Sequence, residues 1–277
     1  MISVVYYKNM EYKKISIIGA GAMGGAIIKA LANHGGFSVT AINSSEEKLQ
    51  DLFTFTLGKI EISTNYDSLK DAEVVVLAVK PQSFHNLASQ IYNQINKDAL
   101  VVSVMAGTQI KTVKESLLIK KVARSIPNLG AQFGESMTVW SGDRLEHEDK
   151  KFVKEFLQIL GKEIFVEDED MINKATAISG SGPGFFAYIV EAYAKEAEKL
   201  GFSAKDATNI SMQTFYATAV SIKNENIEPS EFRERVTSKN GTTEAGLKVL
   251  MKKKLSKLIA KTFSKAYSRA KKISLGK

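Results

Sequence analysis

The chain has 277 residues, 44% of them hydrophobic and 25% charged, with a formal net charge of +8 and no cysteine. This length and balance describe a globular protein with room for two domains, and the missing cysteines exclude disulfides, thiolate metal sites and cysteine nucleophiles. No run of about 18 apolar residues occurs, so no membrane-spanning helix is expected; the N-terminal residues also lack the basic start, apolar core and cleavage site of a secretory signal, and a cytoplasmic location is expected.

Met10-Glu-Tyr-Lys-Lys14 leads directly into the first strand, so residues 1–9 read as an extension with no assigned role. The strand, around Ile15, Ile17 and Ile18, runs into Gly19-Ala20-Gly21-Ala22-Met23-Gly24, and a helical segment follows at once. In this G-x-G-x-x-G pattern the first glycine permits the tight turn. The second lets the backbone close on a pyrophosphate, and the third packs helix against strand. The helix start adds unpaired N–H groups and a positive dipole end, which suit an anion. A second strand at Phe37–Ile42 completes the context that a dinucleotide site requires.

From Lys14 to about Val166, short apolar runs alternate with amphipathic stretches, the pattern of βαβ units and a mainly parallel sheet. Helix Ser45–Leu57, an extended piece near Ile60–Ser63 and a short helix from Asn65 follow the second strand. Strands are expected at Ala72–Val79, Leu100–Val104 and Lys121–Ser125. Ligands in open α/β sheets lie off the carboxyl ends of the strands. Gly19–Gly24, Asn43–Ser45, Ala78-Val79-Lys80-Pro81-Gln82, Met105-Ala106-Gly107 and Pro127-Asn128 should therefore share one rim.

Asn43-Ser44-Ser45 bears on the cofactor. An NAD-preferring site places Asp or Glu at the end of the second strand, on the ribose 2′-hydroxyl. An uncharged polar cluster does not repel a 2′-phosphate, and its hydroxyls can donate to one. NADPH is favoured and NADH stays open. Ser44 and Ser45 also suit a helix N-cap, which is compatible with either cofactor.

Beyond Val166 the pattern becomes helical. Glu167–Asp170 reads as an acidic loop, and Ser179-Gly-Ser-Gly182 as the lead-in to a helix over 184–200 with Pro183 at its start. Ser203-Ala-Lys-Asp206 resembles a capping box opening a helix to about Lys223. A breaker region over 224–229 precedes a short helix over 232–236. Then comes Thr237-Ser-Lys-Asn-Gly-Thr-Thr243, and two helices finish the chain. After Glu244 there is no acidic residue, while eleven lysines and arginines follow. Leu255, Leu258, Ile259, Thr262, Phe263, Ala266, Tyr267, Ala270 and Ile273 recur there on one helical face. That describes a helix packed in a core or subunit contact with its lysines in water. Neither nucleic acid nor membrane is expected as a partner. A helical domain with so long an apolar face needs a partner to cover it, so a homo-oligomer is expected.

A nicotinamide serves alcohol, aldehyde or imine chemistry. Alcohol chemistry needs a proton carrier, commonly His or Lys. His34, His85 and His147 all read as surface residues. Lys174 could match the lysine that some hydroxy-acid dehydrogenases carry on the first helix of the second domain, but the asparagine expected four positions later is Ile178. An imine is protonated near neutral pH and needs mainly to be held and oriented. Gly241-Thr242-Thr243 at a helix start offers backbone donors and hydroxyls for an anionic substrate, or simply caps the helix.

The chain resembles the pyrroline-5-carboxylate reductase family over about Lys14–Arg269. The resemblance rests on Ile18-Gly-Ala-Gly-Ala-Met-Gly24, Ala78-Val-Lys-Pro-Gln82, Met105-Ala-Gly107, Ile126-Pro-Asn128, Ser179-Gly-Ser-Gly-Pro183 and Val236-Thr-Ser-Lys-Asn-Gly-Thr-Thr243. It implies an N-terminal Rossmann-like dinucleotide-binding α/β domain over 1–166, followed by an all-α dimerisation and substrate domain over 167–277. The implied activity is reduction of 1-pyrroline-5-carboxylate to proline by hydride from NAD(P)H, without a metal. By resemblance, Asn65, Ala78, Lys80 and Pro81 join the glycine turn around the cofactor, with Met105-Ala106-Gly107 near the nicotinamide. Ser238, Gly241, Thr242 and Thr243 meet the substrate, with the Thr243 hydroxyl near the ring nitrogen as the catalytic contact. Homodimers that assemble further are implied as well.

Three departures stand out. Lys239-Asn240 replaces the family's Pro-Gly, Leu129-Gly130 replaces Thr-Pro, and Gly184 replaces an alanine. The Lys239-Asn240 change keeps open a related cyclic imine or keto acid as substrate. A non-catalytic NADPH sensor would retain the first glycine turn without needing Thr243.

Overall fold

The computed structural model describes residues 14–276, so the extension read into residues 1–9 lies outside the described residues. Eight strands form one sheet in the order β3-β2-β1-β4-β5-β6-β7-β8. They are β1 (Lys14–Ile18), β2 (Ser38–Ile42), β3 (Glu61–Ser63), β4 (Val74–Leu77), β5 (Leu100–Ser103), β6 (Val122–Ile126), β7 (Ser136–Asp143) and β8 (Gly161–Phe165). The first six are mutually parallel, β7 runs antiparallel to β6, and β8 is parallel to β7. The apolar runs Val74–Leu77 and Leu100–Ser103 are fully buried, as central parallel strands covered on both faces must be.

Helices α1 (Ala22–His34), α2 (Glu46–Phe55), α3 (Pro81–Ile91), α4 (Ile110–Leu117) and α5 (His147–Leu160) cover the sheet. One core packs α1, α2 and α5 through Ile27, Leu31, Leu49, Phe152 and Phe156. The other packs α3 and α4 through Phe84, Leu87, Ile91, Val113 and Leu117. β7 carries little hydropathy signal because its buried positions include Ser136, Thr138 and Ser141 alongside Trp140. The Ser136 and Thr138 hydroxyls share a 3.2 Å bond.

Beyond β8 the described residues are mainly helical, with α6 (Asp170–Ala175), α7 (Gly182–Lys199), α8 (Ala204–Glu225), α9 (Pro229–Arg235), α10 (Thr242–Lys252) and α11 (Leu255–Ser274). Ser203 caps α8 as its sequence suggests, accepting from the Asp206 amide at 3.1 Å. The stretch ahead of Pro183 is itself nearly continuous helix. Thr176–Gly180 forms a wide π turn, in which the Ser181 amide reaches the Thr176 carbonyl at 2.8 Å. Pro183 explains it: a proline offers no N–H to the carbonyl of Ser179, so the regular ladder cannot run through this point.

Packing divides the chain into two compact units. One holds the sheet, runs to Ser181 and resumes at Ala266; the other is Gly182–Lys265. By packing the sheet unit thus includes α6 and the π turn and takes back the end of α11. The reason is physical. Ile172 and Ala175 of α6 pack with Ile126 beside the sheet, and Ala270 of α11 is buried. Within Gly182–Lys265, the buried residues are Gly182, Ala194, Ala207 and Ser211, while Phe186, Tyr188, Tyr193, Met212 and Tyr216 are exposed.

Candidate active site

The parallel strands β1, β2, β4, β5 and β6 end at Ile18, Ile42, Leu77, Ser103 and Ile126. The loops named from the sequence therefore do share one rim. At its centre the glycine turn is fixed by backbone contact. Gly19 has φ +105°, its N–H donates to the Ile42 carbonyl at 2.8 Å, and a Cβ there would lie 2.6 Å from the Ala78 carbonyl oxygen. On Gly24 a Cβ would fall 1.8 Å from the Gly19 carbonyl oxygen and 3.1 Å from the Ala78 Cβ. Gly21 caps α1 and differs from both, since a Cβ there would meet nothing within 4 Å. The turn and the β4 end are thus locked together, while the space over Gly21 and the first amides of α1 is open. Those residues fit a dinucleotide pyrophosphate.

Around the turn, Asn43 proves to be a strut. Its Oδ1 accepts from the Ala20 amide at 3.2 Å, and its Nδ2 donates to the Ser45 carbonyl at 3.4 Å. Ser45 caps α2 through the Lys48 amide at 3.4 Å. Ser44 is exposed between them. Asn65 is exposed, and its Oδ1 accepts from Ser63 Oγ at 3.0 Å and from the Asp67 amide at 3.1 Å. Lys80 is the exposed N-cap of α3, and Pro81 opens that helix. Met105 is buried at the end of β5, with Ala106 and Gly107 half-buried. A cleft of about 720 Å³ lies between the starts of α3 and α4 and the end of α11. It touches the expected cofactor contacts only at Pro81 and Gly107, so it is distinct from the groove over Gly21.

Asn128, beyond the β6 end, is fixed from two sides. Its Oδ1 accepts from the Gly130 amide at 3.0 Å, a bond that the family's proline at that position could not make. Its Nδ2 donates at 3.2 Å to the Ser179 carbonyl, the acceptor that Pro183 leaves without a helical donor. Asn128 thereby satisfies the π turn.

In the helical unit, Ser238, Thr242 and Thr243 are exposed around Gly241, the N-cap of α10. Asn240 holds φ +60°, the left-handed conformation that asparagine tolerates better than most residues. Its amide donates to Glu244 Oε2 at 2.8 Å, and the Gly241 amide donates to the Ser238 carbonyl at 3.0 Å. A Cβ on Gly241 would lie 2.3 Å from Ser238 Oγ. The turn thus forms without the proline. The Asn240 amide and Lys248 hold the Glu244 carboxyl below its ordinary range.

The histidines lie where the sequence placed them: His34 ends α1, His85 is exposed on α3, and His147 opens α5. Lys174 forms a 3.7 Å surface pair with Asp170.

The sequence did not single out a polar cluster built on two buried residues, Arg124 and Asn173. Arg124, in the middle of β6, is 1% exposed. Its Nη1 donates to Glu169 Oε1 at 2.7 Å and its Nη2 to Asn173 Oδ1 at 2.9 Å. Asn173 Nδ2 donates to Asp170 Oδ1 at 3.1 Å, and the Tyr267 hydroxyl donates to Asp170 Oδ2 at 2.5 Å. The Tyr267 hydroxyl, more than any other neighbour, holds the Asp170 carboxyl below its ordinary range, and the same bond pushes the tyrosine up. One signal was present: a single arginine inside the apolar strand Val122–Ile126 needs a carboxylate partner.

Comparison with known proteins agrees with this architecture. Residues 169–273 match the family model described as pyrroline-5-carboxylate reductase dimerisation, and residues 14–107 match NADP oxidoreductase coenzyme F420-dependent. A pyrroline-5-carboxylate reductase of Staphylococcus aureus (strain COL) is 32% identical over 269 residues, covering 94% of this chain and 98% of that one. The pyrroline-5-carboxylate reductase structure from Coxiella burnetii superposes with a TM-score of 0.86 at 28% identity, covering 96% of this chain and 99% of that one. The 1-pyrroline-5-carboxylate reductase from Streptococcus pyogenes gives 0.81 at 27%, covering 94% and 98%. With a dinucleotide turn at the centre of its sheet and this similarity along nearly its whole length, the chain belongs to the pyrroline-5-carboxylate reductase family.

Proposed function

We propose that the protein reduces 1-pyrroline-5-carboxylate to L-proline, the last step of proline biosynthesis, with NADPH as the preferred donor and NADH as a second one. The observation that carries this reading is the occurrence, in one member of this family, of the locked Gly19–Gly24 turn and the Ser238–Thr243 turn at a helix start. When bound, NADPH supplies the hydride that adds to the imine carbon. The chain's own residues hold and orient. The Gly21 turn and the first amides of α1 take the pyrophosphate, Asn65 and Ala78–Pro81 join the turn around the cofactor, and Met105–Gly107 lie near the nicotinamide. Thr242 and Thr243 present first-turn amides to the substrate carboxylate. The Thr243 hydroxyl bonds the ring nitrogen, which is protonated before the hydride arrives and becomes the secondary amine of the product. No strong general acid is required.

NADPH preference is supported by the absence of a carboxylate at Asn43-Ser44-Ser45 and by the match of residues 14–107 to an NADP oxidoreductase model. A homo-oligomer through the helical region, residues 167–277, is supported by the scarcity of buried residues within Gly182–Lys265. An α-helical unit with so little core needs apolar surface from another copy. Among the described residues, no helix is long and apolar enough to cross a membrane.

The test follows reduced-nicotinamide absorbance in a mixture of protein, NADPH and pyrroline-5-carboxylate, with a panel of other cyclic imines and keto acids. Consumption with pyrroline-5-carboxylate supports the proposal. Consumption only with another compound shifts it to a related reductase, as Lys239-Asn240 would allow. Tight NADPH binding without any turnover replaces it with a sensor.

A further inference from the structure

Behind the loop Met105–Gln109 lies an arrangement that no hydride-transfer role requires. Ile110 is the first residue of α4, and its amide belongs to the first helical turn, where no intrahelical acceptor exists. It donates at 3.0 Å to Glu169 Oε1, a residue far away in sequence at the start of α6. The same oxygen accepts from Arg124 Nη1 at 2.7 Å. Arg124 is buried, and its Nε has no hydrogen-bond partner among the described residues. A buried guanidinium with one unsatisfied N–H is a costly way to stabilise a sheet, and an apolar side chain would serve packing better. The loop is pinned at a second point. Gly107 has φ +75°, and a Cβ there would lie 2.4 Å from Ile273 Cγ2 of α11.

We infer that Glu169, itself held in place by Arg124, is a positioning residue that fixes the first turn of α4 and with it the Met105–Gln109 wall of the cofactor groove. The inference rests on the proposed function for the identity of that wall. Its geometry is independent of it. Arg124 reaches Glu169 and Asn173 with two separate nitrogens, so it holds the start of α6 at two points, and the Glu169 oxygen it binds is the one that accepts from Ile110. Lysine, with one nitrogen, could not hold both.

The test compares two double variants of the full-length protein, Arg124→Met with Glu169→Gln and Arg124→Met with Glu169→Ala. Both remove the buried charge pair together, which avoids stranding a single charge. Glutamine retains an acceptor for Ile110 and alanine does not. Three quantities are read: steady-state kcat and KM for NADPH with pyrroline-5-carboxylate, amide hydrogen exchange of Ile110, and NADPH affinity. The alanine form is expected to show faster Ile110 exchange and a kcat about tenfold or more below the glutamine form, with KM for NADPH within about threefold. Equal exchange and equal kcat in the two forms overturn the inference, as does a loss confined to KM. If the unaltered protein does not turn over pyrroline-5-carboxylate at all, the functional reading fails. The exchange of Ile110 and the fluorescence of bound NADPH then still decide the positioning role. Should both double variants fail to fold, Glu169→Gln is compared with Glu169→Ala in the native Arg124 background; both leave the guanidinium without a carboxylate, so exchange of Ile110 is read against that of the β5 amides, and faster exchange at Ile110 alone in the alanine form supports the inference while a uniform rise overturns it.

Discussion

The carbonyl oxygen of Gly19 stands 1.8 Å from where a Cβ on Gly24 would be, closer than any non-bonded contact permits. The start of α1 and the end of β1 are therefore fitted to each other around a missing side chain. Gly24→Ala must push the helix off the strand. Overpacking of this kind costs about 1–3 kcal/mol, and the shift opens the turn that faces the pyrophosphate. The expected outcome is a lower Tm with NADPH affinity reduced at least tenfold, read by calorimetry and by titration of NADPH fluorescence. Unchanged affinity in a folded variant would remove the glycine turn from the cofactor site.

Thr243 is assigned to the substrate side. Thr243→Ala is expected to lower kcat by about 10²-fold, the typical loss when one preorganised donor is removed. NADPH affinity should remain within about twofold of the unaltered protein. Collapse of cofactor binding in this variant would contradict the assignment.

Ser44 is exposed beside the Asn43 strut, so a charge can be placed there without disturbing the turn. Ser44→Asp puts a carboxylate where the 2′-phosphate is expected. NADPH should bind about tenfold more weakly, equivalent to ~1.4 kcal/mol, while NADH binding holds or improves. Equal effects on the two cofactors in parallel titrations would place the 2′-phosphate elsewhere.

The Tyr267–Asp170 bond ties the end of α11 to α6 and gives stability a defined pH dependence. Asp170 titrates below the ordinary carboxylate range in the fold, so its contribution is present above that range and lost as pH falls through the lowered value. Tyr267 titrates above the ordinary tyrosine range, so its contribution is present below that range and lost as pH rises through the raised value. Tyr267→Phe should therefore lower Tm most near neutral pH, with the gap to the unaltered protein narrowing at both extremes. A gap independent of pH in a series of thermal scans would show that the hydroxyl contributes only packing.

On α7, Phe186 is 62% exposed in the single chain. If a second copy covers it, Phe186→Glu removes about 1.5–3 kcal/mol of burial per copy and adds a charge. The expected result is a shift toward monomer in sedimentation, with reduced helicity because the unit has little core of its own. An unchanged oligomer with native circular dichroism would place the interface on another face.

What the sequence determined by itself is local. The G-x-G-x-x-G turn, the apolar runs of the parallel strands, the Ser45 and Ser203 caps and the left-handed Asn240 each follow from conformational preferences of a few neighbouring residues. The strands then brought their ends to one rim, because strands that run parallel all end on the same edge of the sheet. Tertiary structure decided what depends on residues distant in the chain. β7 escaped the hydropathy pattern because its buried positions include three hydroxyl side chains. The π turn arose because Pro183 withholds a donor and Asn128, beyond the end of β6, supplies one. Arg124 found its carboxylate in Glu169, and Tyr267, which its spacing marked as part of an apolar face, carries its hydroxyl to Asp170. A hydrogen bond between residues so far apart leaves no period in the sequence, because only the fold sets the distance that makes it.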